Sequence, residues 1–133
     1  MYNVYIDGAS RGNPGLAGIG IVIVQPKVHK KIIKEYKEFI GIATNNQAEY
    51  KALIKALELL RDLAASRAKI FSDSQLLVKQ LRGEYKVRNP ELKKLFNEVK
   101  KRKKFFESIE YKHIPREKNY HADRLANEAI DKR

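Results

Sequence analysis

Four acids stand out by the places they hold in this 133-residue chain. Asp7 closes an alternating apolar stretch, Met1 to Asp7, and Asp73 follows another, Lys69 to Ser72. Glu49 and Asp123 each fall in the first turns of a segment with helical spacing. In open α/β sheets, ligands gather beyond the carboxyl ends of strands, so four such acids could share one rim. Carboxylates crowded together at neutral pH repel one another and need divalent cations to be tolerable. Oxygen donors without cysteine select magnesium or manganese, and a two-metal site activates water against a phosphodiester. Each acid also has an ordinary reading. Asp7 suits a strand-end turn, Asp73 and Asp123 suit helix caps, and Glu49 suits a helix rim favoured by the dipole. Spacing alone leaves both sets of readings open.

The elements that must position these acids are legible in outline. The stretch from Thr44 to Ala65 opens with a capping box, Thr44 with Gln47. Leu53, Ala56, Leu57, Leu60 and Ala64 then recur at helical spacing, with Glu49 on the same stripe. Before this helix come three expected strands: Met1 to Asp7, Gly18 to Val24 and Lys30 to Ile40. The run GASRGNPG and a turn around Pro26 to Val28 join them, which implies an antiparallel meander. After it come the strand Lys69 to Ser72 and a short helix, Gln75 to Leu81, stopped by Gly83. Tyr85 to Asn89 is expected as a loop, because Pro90 suits the first turn of a following helix that buries Leu92, Leu95, Phe96 and Val99. A strand over Phe105 to Ile114 and the loop PREKNYH lead to a last helix from about Ala122, with Leu125, Ala126, Ala129 and Ile130 as its stripe. The order β-β-β-α-β-α-α-β-α predicts a mixed sheet covered by helices, an α/β fold in one domain over residues 1–133. The glycines after Asp7 form neither a dinucleotide fingerprint nor a P-loop.

Composition narrows the partners. The chain has 28 Lys and Arg against 16 Asp and Glu, a net charge of +12, so polyanions are attracted by field alone. Ten basic residues and three glutamates lie between Arg82 and Lys104, and Lys100 to Lys104 is an unbroken basic run. Such runs usually form solvated faces, but here the imbalance extends over the whole chain. The absence of cysteine excludes disulfides and thiolate zinc sites. No segment resembles a bilayer span, and MYNVYID lacks the regions of a signal peptide, so the expected setting is the cytoplasm. A basic domain with an acidic rim would be a nuclease.

The motifs DGASRGNPG (7–15), TNNQAE (44–49), SDSQ (72–75) and HIPREKNYHADRLA (113–126) resemble those of type 1 ribonuclease H, in the same order and over nearly the whole chain. The resemblance implies a five-stranded mixed sheet with helices on its faces. It also implies endonucleolytic cleavage of the RNA strand of an RNA–DNA hybrid, leaving 5′-phosphate and 3′-hydroxyl ends. By position, Asp7, Glu49, Asp73 and Asp123 match the family's metal-binding carboxylates, for two magnesium or manganese ions. Gly12, Asn13, Asn45, Asn46 and Gln75 match positions that touch the hybrid, where amides reach 2′-hydroxyls and minor-groove edges. Thr44 matches a DNA-phosphate contact. His113, ten residues before Asp123, matches an auxiliary histidine that assists proton transfer or product release. Arg116 and Glu117 are further loop candidates, whereas His121 matches no family position.

The chain also departs from the family pattern. Gly83 to Pro90 is too short for the basic protrusion that many members carry, so part of that grip is expected from the basic helix and the Lys100 to Lys104 run. Ile42 stands where many members have a basic residue two positions before the threonine. The protein is expected to act as a monomer on hybrid, with no membrane partner and with salt-sensitive binding. Two alternatives remain: a nuclease of this fold acting on double-stranded RNA or a DNA junction, and a non-catalytic hybrid-binding domain. The presence of all four acids weighs against the second.

Overall fold

A computed structural model describes residues 1–27 and 30–133, so Val28, placed in the second turn by its sequence, lies outside the described residues. Alternating apolar residues build β1 (Tyr2–Ser10), which pairs antiparallel with β2 (Gly15–Gln25). β2 in turn pairs antiparallel with β3 (Lys31–Ala43). After α1 (Asn45–Asp62), β4 (Arg67–Ser72) lies parallel to β1, and β5 (Ser108–His113) lies parallel to β4. Between β4 and β5 run α2 (Gln75–Leu81) and α3 (Pro90–Lys103), and α4 (Tyr120–Asp131) ends the fold. The five-stranded sheet has the order β3-β2-β1-β4-β5, as the predicted mixed α/β architecture requires. Among the described residues no helix is long and apolar enough to cross a membrane.

Strand alternation decides which side chains meet which helix. Val4, Ile6, Ile19, Ile21, Ile23 and Ile70 point to one face and form a core with Leu53, Ala56, Leu57 and Leu60 of α1. Each fully buried branched side chain stabilises the fold by about 1.5–3 kcal/mol before entropy is counted. On the other face, α4 lies almost on the backbone of β2. A Cβ placed on Gly20 would sit 2.2 Å from the carbonyl oxygen of Ala122, so only glycine permits this approach. Leu125, Ala126, Ala129 and Ile130 are all buried, as their spacing predicts.

Several boundaries depart from the sequence expectations. Asp7 does not end its strand: pairing continues through Gly8, Ala9 and Ser10, opposite Ile19, Gly18 and Ala17. The turn narrows to Arg11–Pro14, because the small residues after Asp7 pair as well as they bend. α1 stops at Asp62, and Ala64 is exposed in the left-handed region at φ 55°. Its N–H donates to Arg61 O and that of Ala65 to Leu60 O, a Schellman closure that takes Ala64 off the apolar stripe. On α3, Leu92 and Val99 are buried while Leu95 and Phe96 are only partly so. β5 begins at Ser108, leaving Phe105 59% exposed under the Arg61 guanidinium, 3.6 Å from its ring centre. α4 starts at Tyr120, two residues before the expected Ala122, after a single 3-10 turn at Arg116–Lys118.

Candidate active site

The parallel register of β1 and β4 brings the first two acids together. Tyr5 is level with Phe71; two residues further on come Asp7, still within β1, and Asp73, one residue past the end of β4. Glu49 arrives from α1, whose first turn lies against β1 at Gly8. A Cβ at Gly8 would be 2.3 Å from the carbonyl carbon of Ala48, so the helix can reach the strand only over glycine. The Gly8 N–H donates to Glu49 Oε1, which fixes that carboxylate at the rim. Asp7, Glu49 and Asp73 each present a carboxylate oxygen within 4.8 Å of the other two. Asp123, in the first turn of α4, joins them in a cleft of about 410 Å³ that Ser10, Asn45, Asn46, Ser74, Arg116 and Asn127 also line.

The site is electrostatically strained as it stands. Asp7 and Glu49 are each 6% exposed. Burial above all, then the charges of Glu49 and Asp73, raises the pKa of Asp7 far above the usual carboxylate range. Glu49 is also raised, chiefly by burial, with the Gly8 N–H opposing and Asp73 adding to the shift. Asp73 is raised by burial too, against the hydrogen bond from Asn119 and the positive influence of Arg116 and His113. Burial and crowding of this kind favour the protonated form of a carboxyl unless a cation takes the proton's place. The donor set is all oxygen, which fits magnesium or manganese and excludes a thiolate site. The ordinary readings of these acids do not describe the fold. Ser74 caps α2 by accepting the Leu77 N–H at 3.2 Å, Asp123 lies inside α4, and Asp7 lies within its strand.

The predicted substrate contacts divide into two groups. Asn45 and Asn46 line the cleft, while Gly12, Asn13, Thr44, Gln75 and His113 stand outside its walls. Asn13 Oδ1 accepts the Asn45 N–H at 3.2 Å, and Asn45 Oδ1 accepts the Ser10 N–H at 3.0 Å. Both oxygens therefore brace the β1–β2 turn against α1, and the amide NH₂ groups are the ends suited to a ligand. Thr44 accepts the Gln47 N–H at 3.1 Å while Gln47 Oε1 accepts the Thr44 N–H at 2.9 Å, the expected capping box. Gln75 is exposed at the start of α2. His113 is exposed at the end of β5, level with Ser72 and so beside Asp73. Ile42 is 65% exposed two residues before Thr44. His121 turns to β3 instead, with Nε2 2.6 Å from Glu35 Oε1.

The Lys100 to Lys104 run does not reach the cleft. Arg102 pairs with Glu58 at 2.9 Å and Phe105 lies under Arg61, so the run sits beside the far end of α1. At 1.5 Å rise per residue, that is roughly 14–18 Å along the helix from Glu49. Two polar residues escaped the sequence reading. Asn127 donates to Asp123 O at 2.9 Å, and Asn119, 1% exposed, donates to Ile6 O at 2.8 Å and to Asp73 Oδ2 at 3.2 Å. Asn119 lies inside the 113–126 motif and Asn127 just beyond it, but neither was singled out, because an asparagine in a polar loop or on a helix surface is unremarkable in sequence.

Residues 5–129 match a family model described as reverse transcriptase-like. The RNase H1 structure from Halobacterium salinarum NRC-1 superimposes with a TM-score of 0.95 at 42% identity, covering 99% of this chain and 98% of that one. The chain belongs to the type 1 ribonuclease H family. Among other relatives, the LC11 RNase H1 solved in complex with an RNA/DNA hybrid is 44% identical, with a TM-score of 0.93 over 99% of this chain and 98% of that one. The ribonuclease HI of Halobacterium salinarum is 43% identical over 97% of this chain and 64% of its own length. A bifunctional protein of Mycobacterium tuberculosis is 45% identical over 94% of this chain, which spans only 34% of that relative.

Proposed function

We propose that this ribonuclease H cleaves the RNA strand of RNA–DNA hybrids as an endonuclease, leaving 5′-phosphate and 3′-hydroxyl ends. The observation that carries this reading is the set of three carboxylates, two buried and one half-buried, whose oxygens lie within 4.8 Å of one another in a +12 protein. The LC11 relative solved with an RNA/DNA hybrid supports the choice of substrate. Asp7, Glu49, Asp73 and Asp123 would hold two divalent cations, magnesium or manganese. Those ions would supply an activated water and a counter-charge to the leaving oxygen.

The chain's own residues bind, orient and relay protons. Asn45 and Asn46, with Asn13, Gly12 and Gln75 around them, direct amide and backbone donors at the 2′-hydroxyls that mark an RNA strand. Thr44 presents its hydroxyl to a phosphate of the DNA strand. His113 exchanges a proton between a ring nitrogen and solvent beside Asp73 and helps product to leave. Double-stranded RNA is a second substrate that one observation favours. Ile42, apolar and exposed beside Thr44, weakens the pocket that would select a DNA phosphate.

Matched hybrid, double-stranded RNA and double-stranded DNA, each with magnesium, manganese or EDTA, test the reading together. Cleavage of hybrid RNA with either metal, abolished by EDTA and by Asp73→Asn in a folded protein, is expected. Wild-type turnover by Asp73→Asn would sink the active-site assignment, and cleavage of double-stranded DNA alone would sink the substrate. His113→Ala is expected to slow turnover yet leave measurable cleavage.

A further inference from the structure

We propose that Asn119 is the positioning residue of the carboxylate site: its side chain sets Asp73 against the backbone beside Asp7, at the helix start whose backbone leads to Asp123. The inference rests on the reading of those acids as cation ligands. Three contacts carry it. The parallel ladder between β1 and β4 ends at Tyr5 and Phe71, and Asn119 Nδ2 donates to the Ile6 carbonyl just beyond, at 2.8 Å. Ile6 is the residue before Asp7. The same Nδ2 donates to Asp73 Oδ2 at 3.2 Å. The Asn119 carbonyl, meanwhile, accepts the Asp123 N–H at 3.1 Å, the helical bond that anchors the first turn of α4. One residue thus touches the backbone beside one acid, the side chain of a second and the backbone of a third.

Asn119 does this at the expense of its ordinary work. It occupies the N-cap of α4, where asparagine normally accepts an N–H of the first turn, yet its side chain makes no capping bond. The amide is turned inward, 1% exposed, and its Oδ1 has no hydrogen-bond partner among the described residues. A buried acceptor without a donor is unfavourable, so stability alone does not select this arrangement. What the arrangement gains is a donor without charge. A lysine or arginine there would compete with the cation for Asp73, and an apolar residue would leave Ile6 O and Asp73 Oδ2 without their donor. Partners of this kind orient metal-binding carboxylates and change cation affinity without touching the ion.

Two variants separate positioning from folding. Asn119→Ala removes the donor. Asn119→Ser also removes it, since a hydroxyl is too short to reach Asp73, but serine is a good helix cap and supports α4. Both would be compared with wild type and Asp73→Asn by calorimetric titration of Mn²⁺ into the free protein, and by kcat and KM on hybrid. The expected result is Mn²⁺ affinity 10–100-fold weaker in both Asn119 variants, a matching fall in kcat and an unchanged KM. Asn119→Ser should show this despite melting higher than Asn119→Ala. Wild-type Mn²⁺ affinity in both folded variants would overturn the proposal, provided Asp73→Asn loses binding. If Asp73→Asn also binds Mn²⁺ normally, the cation site itself is wrongly placed. Failure of both Asn119 variants to fold would make the residue a structural wedge and overturn the proposal as well.

Discussion

The two helices that carry an acid to the cleft begin in opposite ways. α1 starts with a complete capping box, Thr44 with Gln47, and delivers Glu49 within its second turn. α4 starts at Asn119, whose side chain does not cap it, and delivers Asp123 in its first turn. α1 is held locally, by signals a few residues apart, and α4 is held from a distance, by a strand and an acid far away in sequence. The difference teaches where stability and function part. A helix start that delivers only its own residues can follow the local rules, whereas one whose cap residue also holds Asp73, an acid of another element, gives its cap away.

The comparison can be broken most forcefully at the glycine beneath α1. Gly8→Ala forces a Cβ to within 2.3 Å of the Ala48 backbone, and neither partner is a flexible side-chain end. A loss of about 3 kcal/mol is expected, read as a fall in Tm of roughly 10 °C, with activity lost alongside. A variant melting like wild type would show that α1 can slide without harm.

The charge of the site gives the next effect. In the metal-free protein the carboxyls of Asp7 and Glu49 are raised above their unfolded values, so the fold holds protons that the unfolded chain releases. Their contribution is fully present below about pH 4, where unfolded carboxyls are protonated, and fades as pH rises through the neutral range toward their folded values. Asp7→Asn removes one titrating carboxyl from the cluster, and with it the cost of protonating that group on folding. In EDTA at pH 8 it should melt above wild type by the equivalent of about 1–3 kcal/mol, with the gap closing toward pH 4. Saturating magnesium should shrink the pH 8 gap by stabilising wild type. A gap independent of pH would contradict the electrostatic account.

Removing the cap that α1 keeps is a milder change. Thr44→Ala should destabilise by about 1 kcal/mol in a denaturant titration. It should leave Mn²⁺ affinity near that of wild type, unlike either Asn119 variant. Smallest is the other end of the same helix. Ala64 sits at φ 55° with a Cβ that penalises that conformation. Ala64→Gly should stabilise by about 0.5–1 kcal/mol with no change in cleavage, and a destabilised variant would mean the closure is held by something else.

Much of the fold was legible because its signals are local. The capping box at Thr44, Pro90 at the head of α3 and the apolar stripes of α1 and α4 each lie within a few residues, and the structure follows them. The boundaries that slipped depend on partners far away. Asp7 lies inside β1 because β2 continues to pair beside it, which no residue near Asp7 announces. The charge of Lys100 to Lys104 is visible in sequence and its position is not. Its place beside Glu58 and Arg61 follows from how α3 packs on α1.

The sequence by itself determined the element order, the buried stripes and the four motifs that name the family, because propensity, periodicity and motif spacing are properties of neighbouring residues. It left each acid with two readings. Only the tertiary structure brought the acids to one rim, by carrying Asp7 and Asp73 just past the level pair Tyr5 and Phe71 and Glu49 over Gly8 beside them. It alone turned Asn119 inward from its helix. The physical reason is the same in each case. A carboxylate's partner, and so its protonation and its use, is set by distance through space, and these acids lie 24 to 116 residues apart along the chain.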